Sequence, residues 1–381
     1  MQDNTNPVHI ADIEAMVFRW PVATPVITSF GTMTDRPALL VRVRDDAGRQ
    51  GWGEVWCNFP SPGAEHRARL IEEVLKPWLI GRSFTAPDIL WRSLSAAFEV
   101  LALQSGEPGP FAQAIAGIDI ALWDLAAQSA GEPLWRLLSP RAVRDTVPVY
   151  ASGINPAQAE DTIARVRERG FNAFKVKVGF GLAQDIDTLQ RATRALASGE
   201  HLCADANQAW TLEQALVMAD AVRTFELAWL EEPLRVDRPA IEWQALARAL
   251  RQPIAAGENL GSEAAFRQAV DEHRFAVVQP DVAKWGGLSG CIGVARRALS
   301  AGLRYCPHYL GAGVGLLASA HLLAASGSDG WLEVDSNDNP LREHWCPPLS
   351  SLHGGRLTLP AAPGLGAAPD IGAFADLRVA H

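Results

Sequence analysis

The chain has five cysteines, Cys57, Cys203, Cys291, Cys306 and Cys346, but no Cys-x-x-Cys pair, and the odd number leaves one over. That excludes a disulfide framework and a zinc knuckle, and it leaves buried thiols in a reducing compartment. There is no block of basic residues: 34 Lys and Arg are dispersed among 43 Asp and Glu, for a net charge of −9, which speaks against nucleic acid as a partner. No uninterrupted apolar run approaches a membrane span. The polar start, Met1 to Pro7, lacks the basic-then-apolar pattern of a leader, so a cytoplasmic protein without membrane association is expected. The rest is globular in character, with 381 residues that are 48% hydrophobic and 20% charged. One ordinary core cannot absorb that length, and two domains or a large barrel with an appendage are expected.

Alternating apolar residues predict strands at 15–20, 38–44 and 51–54, with a turn at 45–48, as an antiparallel meander. The Pro-, Thr- and Ser-rich stretch 21–34 is too long for a hairpin turn and reads as a loop of the length that often forms a lid. Helical periodicity follows at 65–79, 86–103 and 110–129, the last with Gly131 as a stop signal. Residues 1–140 are therefore expected to form an α+β capping unit, completed by the Gly- and Pro-rich tail 355–381 crossing back over it.

Beyond Pro140, eight apolar runs (147–152, 173–178, 201–205, 228–231, 254–258, 276–279, 303–306 and 331–334) alternate with helical segments such as 156–169, 185–197, 211–225, 262–270 and 288–301. This is the grammar of a (β/α)8 TIM-type barrel, expected over 141–354. A doubly wound open sheet is the alternative, but no Gly-x-Gly-x-x-Gly turn follows the first strand of the series.

Within that frame the run Phe174-Lys175-Val176-Lys177-Val178 inverts the usual pattern. Alternate residues face opposite ways, so both lysines share one face. Either this is an edge strand with solvated lysines, or the lysines point into the barrel, where an ammonium is costly unless a charge meets it. The other strands bear on the choice, because polar residues stand at the strand ends, where barrels keep their catalytic groups: Asp205 and Asn207, Glu231, Glu258, Asp281, His308 and Glu333. Asp205 to Glu231 is 26 residues, Glu231 to Glu258 is 27 and Asp281 to His308 is 27, one βα unit each. Three converging carboxylates would repel, and a divalent cation is the simplest compensation. Oxygen-only ligands point to Mg²⁺, with Mn²⁺ as a substitute, over zinc. The competing reading makes each acid a cap for the helix that follows.

Taken in order, Lys175-Val176-Lys177, Asp205-Ala206-Asn207-Gln208, Trp229-Leu230-Glu231-Glu232-Pro233, Gly257-Glu258-Asn259, Gln279-Pro280-Asp281 with Lys284-Trp285-Gly286-Gly287, and Pro307-His308 resemble the enolase superfamily, specifically its mandelate racemase subgroup. The stretch from Gly117 to Asp124 is similar to that family's helix before the barrel, so the resemblance covers nearly the whole chain. It implies Mg²⁺ held by Asp205, Glu231 and Glu258 and bound to the substrate carboxylate. It also implies Lys177 as base on one face of the substrate, with Lys175 keeping it partly neutral and touching the carboxylate. His308, oriented by Asp281, would act on the opposite face. Glu333, protonated, would donate to the carboxylate, with Asp335 on the same strand face as the competing assignment. Asn207 is a further substrate contact. Lys284 matches the second base of the muconate lactonizing subgroup but reads here as a structural or supporting residue.

The implied reaction begins with removal of a proton α to a carboxylate to give an enediolate, a step for which this superfamily uses a Lys or His base. The expected outcome is β-elimination of water from a hydroxy acid or acid sugar. Racemisation or epimerisation of a hydroxy acid, and cycloisomerisation of a sugar-acid lactone, share the first step. A hydrolase would want His ligands, and a non-catalytic carboxylate-binding protein would not need Lys177 and His308 opposed. The expected partner is a small-molecule carboxylate and the expected assembly a homo-oligomer. Specificity is expected from 21–34, with Thr24, Thr28, Ser29 and Phe30, and from 53–59, with Glu54, Trp56 and Asn58; Phe30 and Trp56 are the substrate-binding candidates.

Overall fold

The computed structural model describes residues 7–28, 31–140 and 144–381. In its N-terminal part, β1 (Val8–Thr28), β2 (Gly31–Asp45) and β3 (Gln50–Val55) form an antiparallel sheet, and β4 (Ser83–Phe84) pairs with the start of β1. Five helices follow in this half: α1 (Gly63–Arg69), α2 (Lys76–Leu79), α3 (Pro87–Ser105), α4 (Pro108–Ala130) and α5 (Leu134–Leu138). Strand alternation gives the sheet two apolar faces. Val17, Leu39, Val41 and Val43 pack with its own helices, while Met16, Phe18, Leu40 and Trp52 join the core of the second half. Gly53 lets β3 lie directly on α4: a Cβ there would stand 1.9 Å from the Gly117 carbonyl oxygen.

Two expectations fail in this half. Residues 21–28 and 31–34 are not a loop, because β1 and β2 continue their antiparallel pairing with Val26 opposite Met33, Ile27 opposite Thr32 and Thr28 opposite Gly31, while 29 and 30 lie outside the described residues. The β-branched residues favour extended backbone, and Pro25, which cannot donate, falls in the irregular register between Pro21 and Val26. The single helix expected at 65–79 is instead α1, a π-helical stretch Leu70–Leu75, and α2. Pro77 lacks the N–H a regular turn would use.

In the second half eight parallel strands follow the chain: β5 (Thr146–Ile154), β6 (Ala173–Lys177), β7 (His201–Asp205), β8 (Leu227–Glu231), β9 (Ile254–Ala256), β10 (Val277–Val278), β11 (Arg304–Tyr305) and β12 (Leu332–Asp335). The sheet curls until β12 pairs with β5. Among the described residues β11 and β12 share no ladder; the seam is bridged by the Ser328 hydroxyl donating to the Tyr305 carbonyl (2.9 Å) and the Trp331 N–H donating to Cys306 Sγ (3.4 Å). Helices α6 (Ala159–Glu168), α7 (Leu182–Ala195), α8 (Leu212–Ala221), α9 (Ala240–Ala249), α10 (Glu263–Asp271), α11 (Gly287–Ser300), α12 (Gly313–Ser326) and α13 (Pro340–Trp345) cover the outside. The tail does more than cross the first half: β13 (Arg356–Thr358) pairs with β5 before β14 (Arg378–Val379) pairs with β1.

The inside of the curled sheet explains where the site lies. Tyr150, Ala173, Cys203, Trp229, Val277 and Cys306 fill its floor. Two residues further along each segment, hence on the same side, stand Ser152, Lys175, Asp205, Glu231, Gln279 and His308. All five cysteines are free and buried. No helix among the described residues is long and apolar enough to cross a membrane.

α12 carries a buried histidine that gives the fold a pH dependence. His321 Nδ1 accepts the Trp135 N–H (3.2 Å), and Nε2 faces the Leu365 carbonyl at 3.2 Å, so the neutral ring joins α12 to α5 and the tail. Burial pushes its pKa down to about 4. Below about pH 6.5 the unfolded chain takes up a proton that the folded ring refuses, so stability present above that pH falls as the solution is acidified towards pH 4. The contribution is about 3 kcal/mol at roughly 1.4 kcal/mol per pH unit. Urea titrations at pH 7 and pH 4.5 should show a smaller acid loss in His321→Gln than in the parent; equal losses would rule this out.

Candidate active site

The candidates from Lys175 to Glu333 all come from a strand of the curled sheet or the turn after it, and Trp56 follows the end of β3. Lys175 is 1% exposed and lies between carboxylates: its Nζ donates to Glu231, stands 2.7 Å from Glu333 Oε1 and 3.6 Å from Asp205 Oδ2. The lysine face of β6 is thus the inner face. Lys177 Nζ donates to Asp205 Oδ2 (2.7 Å) and Asn207 Oδ1 (2.6 Å). His308 Nδ1 meets Asp281 Oδ2 at 2.8 Å, and the other oxygen of that carboxylate accepts the Ala283 N–H (2.8 Å). With one ring nitrogen so fixed, Nε2 points inward, 2.5 Å from Glu258 Oε2 and 3.8 Å from Glu333 Oε2. A continuous path of charge contacts therefore runs from Lys177 through Asp205, Lys175 and Glu333 to His308 and Glu258.

The charges of the chain's own residues work against two protonation expectations. Burial disfavours the Lys177 ammonium, but Asp205, turned towards it, outweighs both that and the repulsion of Lys175 and holds its pKa above the ordinary lysine value. Burial likewise favours a protonated Glu333, yet Lys175, His308 and the Ser152 hydroxyl, which it accepts, hold it below the usual carboxylate range. Asp335, the competing residue, takes a different place: it pairs with Arg36 of β2 and lies 3.5 Å from Arg342, tying the hairpin strand to β12.

Asp205, Glu231 and Glu258 lie in one buried, acid-rich region, but their carboxylates are turned to the chain's own cations. Among the described residues no three Asp, Glu, His or Cys side chains are gathered to hold an ion as they stand. The donor chemistry nevertheless fits Mg²⁺. Six carboxylates (Asp205, Glu231, Glu232, Glu258, Asp281 and Glu333) face Lys175, Lys177, Lys284 and His308, an excess of acid for so little water. Burial, with Asp205 and Glu333 nearby, pushes Glu231 up to about 7 even with Lys175 beside it. Burial and the charges of Glu258 and Asp205 push Glu232 well above the usual range, and its Oε2 is buried without a partner. Hard oxygen donors in surplus are what a small divalent cation takes.

The remaining candidates divide. Trp56 lies beside the mouth, with Lys284 Nζ 4.7 Å from its ring centre and its backbone N–H donating to the Ala283 carbonyl (3.1 Å). Lys284 also donates to Asn259 Oδ1 (2.7 Å) and stands 3.9 Å from Glu258. Phe30 and Ser29 lie outside the described residues. Glu54 does not reach the mouth: it is buried at the start of α12, accepting the N–H groups of Ala312 (2.5 Å) and Gly315 (2.9 Å). A helix N-terminus is a natural seat for a carboxylate.

Sequence reasoning assigned no role to several groups that hold the site's shape. Gln279 Nε2 and Trp229 Nε1 donate to Glu231 Oε2 (2.7 and 3.0 Å), and Asn259 donates to Glu232 (2.8 Å). The signal was available, since Ser152 and Gln279 fall two residues beyond apolar floor positions, as Lys175 and Asp205 do. What no pattern could show is backbone: Asn207, Gln208 and Glu232 have φ of 44°, 62° and 40°. Left-handed conformations in non-glycine residues cost about 1–3 kcal/mol each and collect at functional sites.

Comparison with known proteins agrees with this geometry. Residues 12–139 match the mandelate racemase / muconate lactonizing enzyme N-terminal domain, and residues 158–373 match the enolase C-terminal domain-like family. A crystal structure of a mandelate racemase/muconate lactonizing enzyme from Bordetella bronchiseptica RB50 is 53% identical with a TM-score of 0.92, over 98% of this chain and 100% of that one. An enolase from Bradyrhizobium, complexed with magnesium and mandelic acid, is 27% identical with a TM-score of 0.84, over 98% of this chain and 99% of that one. The L-talarate/galactarate dehydratase of Salmonella typhimurium is 37% identical over 91% of this chain and 85% of its own. The D-galactarolactone cycloisomerase of Agrobacterium fabrum is 30% identical over 93% and 95%. Both halves, sheet and curled strands alike, place the chain in the mandelate racemase/muconate lactonizing enzyme family of the enolase superfamily.

Proposed function

We propose that this protein removes the proton α to the carboxylate of a hydroxy acid or acid sugar and expels the β-hydroxyl of the resulting enediolate as water. The observation that carries the reading is the placement of two proton-bearing groups, Lys177 Nζ and His308 Nε2, at the two ends of one carboxylate-and-lysine path. Elimination needs a group to take the α-proton and another to protonate the departing hydroxyl, and Lys177 and His308 divide these tasks. Asp281 orients the imidazole, and Lys175 and Asn207 are placed to bind the substrate's carboxylate and hydroxyl. Asp205, Glu231 and Glu258 would hold Mg²⁺, which when bound supplies positive charge opposite the negative charge that develops on the substrate carboxylate. On this reading the barrel, 141–354, carries the chemistry, and 1–140 with 355–381 caps it. Its free cysteines suit a reducing cytoplasm.

Dehydration is put first because a dehydratase is the relative that is 37% identical over most of both chains. Cycloisomerisation of a sugar-acid lactone is the second reading, favoured by the 30% identical cycloisomerase, and it needs the same first step. Screening acid sugars and hydroxy acids in D₂O with Mg²⁺ tests the proposal. A good substrate should exchange its α-proton and lose water, and EDTA should abolish both until Mg²⁺ is restored. Neither exchange nor turnover with any acid of a broad panel would refute it.

A further inference from the structure

α3 is apolar on two opposite faces. Leu90, Leu94 and Ala102 are buried, and Phe98 stacks on Phe111 of α4 at 6.1 Å. The other face is open: Val100 is 68% exposed, Leu103 65%, Ile89 58% and Leu101 47%, with Ser93 and Ala96 exposed between them. Residues 94–103 contain one charge, Glu99. A helix apolar all round is ordinarily covered, and an apolar patch of this kind marks a contact surface.

The open row is also ordered. Ile89, Ser93, Ala96, Val100 and Leu103 follow at intervals of four, three, four and three residues, the seam spacing of two packed helices. Its N-terminal end borders a groove of about 500 Å³ lined by Trp78, Phe84, Ile89, Leu90, Ser93 and Arg82, whose guanidinium lies over the Trp78 ring, whereas its C-terminal end raises Val100 and Leu103 as a ridge. We propose that two copies of this chain associate through α3, packed antiparallel about a two-fold axis at Ala96.

The row is complementary to itself in that arrangement. Rotation about Ala96 sets each Leu103 against Ile89 of the other copy and each Val100 beside its groove and the small Ser93, so that each ridge fills the other's groove. Ala96 faces itself, and a small residue at the crossing lets the helices approach closely. Charge selects the direction. Arg92 and Glu99 stand seven residues apart on one flank of the row, and antiparallel packing brings Arg92 of each copy beside Glu99 of the other. Parallel packing would set Arg92 beside the uncharged Ala97. Arg92, paired within its helix to Asp88 at 3.2 Å and 68% exposed, is a rim group able to serve both partners.

Sedimentation velocity on the full chain from about 0.1 to 50 µM tests the association. A dimer, or a larger assembly built from dimers, is expected. Val100→Glu with Leu103→Glu should raise the dissociation constant at least 100-fold while the circular dichroism spectrum is unchanged. Arg92→Glu and Glu99→Arg should each weaken the dimer, and the two together should restore it. Because the native cysteines are all buried, Ala96→Cys should form a disulfide-linked dimer under mild oxidation, reversed by reductant. A parent chain monomeric at about 50 µM, an assembly untouched by the Val100 and Leu103 changes, or an Ala96→Cys dimer that does not cross-link overturns the proposal.

Discussion

His308→Asn should lower kcat for the physiological acid by about 10³- to 10⁴-fold, equivalent to about 4–5.5 kcal/mol of barrier, with a much smaller change in KM. The geometry makes this replacement informative. Asp281 holds Nδ1, and the Ala283 N–H holds Asp281, so the ring is fixed before any substrate arrives. What remains free to act is Nε2, which faces Glu258 and Glu333 inside the site. Asparagine can keep the polar contact made at Nδ1 but places no proton carrier at the Nε2 position. Near-parental kcat on the identified substrate would mean that His308 is a buried structural histidine and that the two-sided scheme is wrong.

Lys177→Ala should be as damaging, and comparing the two variants divides the labour between them. If Lys177 takes the α-proton and His308 serves the leaving hydroxyl, then His308→Asn loses water elimination but still exchanges the α-proton in D₂O, while Lys177→Ala loses both. The opposite pattern assigns the roles the other way. Lys177 is the better connected of the pair, donating to both Asp205 and Asn207, and truncation would leave the buried Asp205 with Lys175 as its remaining cation, 3.6 Å away. The circular dichroism spectrum of Lys177→Ala is therefore part of the measurement, since a folded protein with lost turnover is the expected result. A folded variant that turns over as fast as the parent would refute the assignment.

Much of this site is legible in the sequence because a strand's two-residue period and a βα unit of 26 or 27 residues are rigid rulers. Lys175, Asp205, Glu231 and Glu333 each lie two residues past an Ala, Cys or Trp position that faces the inside, and the chain repeats that placement around the sheet. What could not be read depends on pairs of residues far apart. Whether Lys177 or Glu333 carries a proton depends on the balance between burial and partners from other strands, which no local pattern displays. Glu54 looked like a mouth residue because its strand ends near Trp56; its destination at the α12 N-terminus, more than 250 residues on, left no local trace. α12 itself, buried on every side, has no polar face to set a helical rhythm. The strand at 21–28 leaves no alternation to read, because prolines and small polar residues interrupt it and only the pairing with β2 keeps the backbone extended.

The sheet of β1, β2 and β3 has one apolar face in each of two cores, and that decides how the molecule comes apart. Removing the barrel would put Met16, Phe18, Leu40 and Trp52 into water, and removing the cap would strip the same contacts from the barrel. Asp119 adds a fastening, accepting from the Ser289 N–H (2.9 Å) and hydroxyl (2.6 Å) at the start of α11. Neither half can melt and leave the other intact. Heating should therefore show one calorimetric transition whose measured and van't Hoff enthalpies agree, and a chain cut between the halves should yield fragments that aggregate instead of folding.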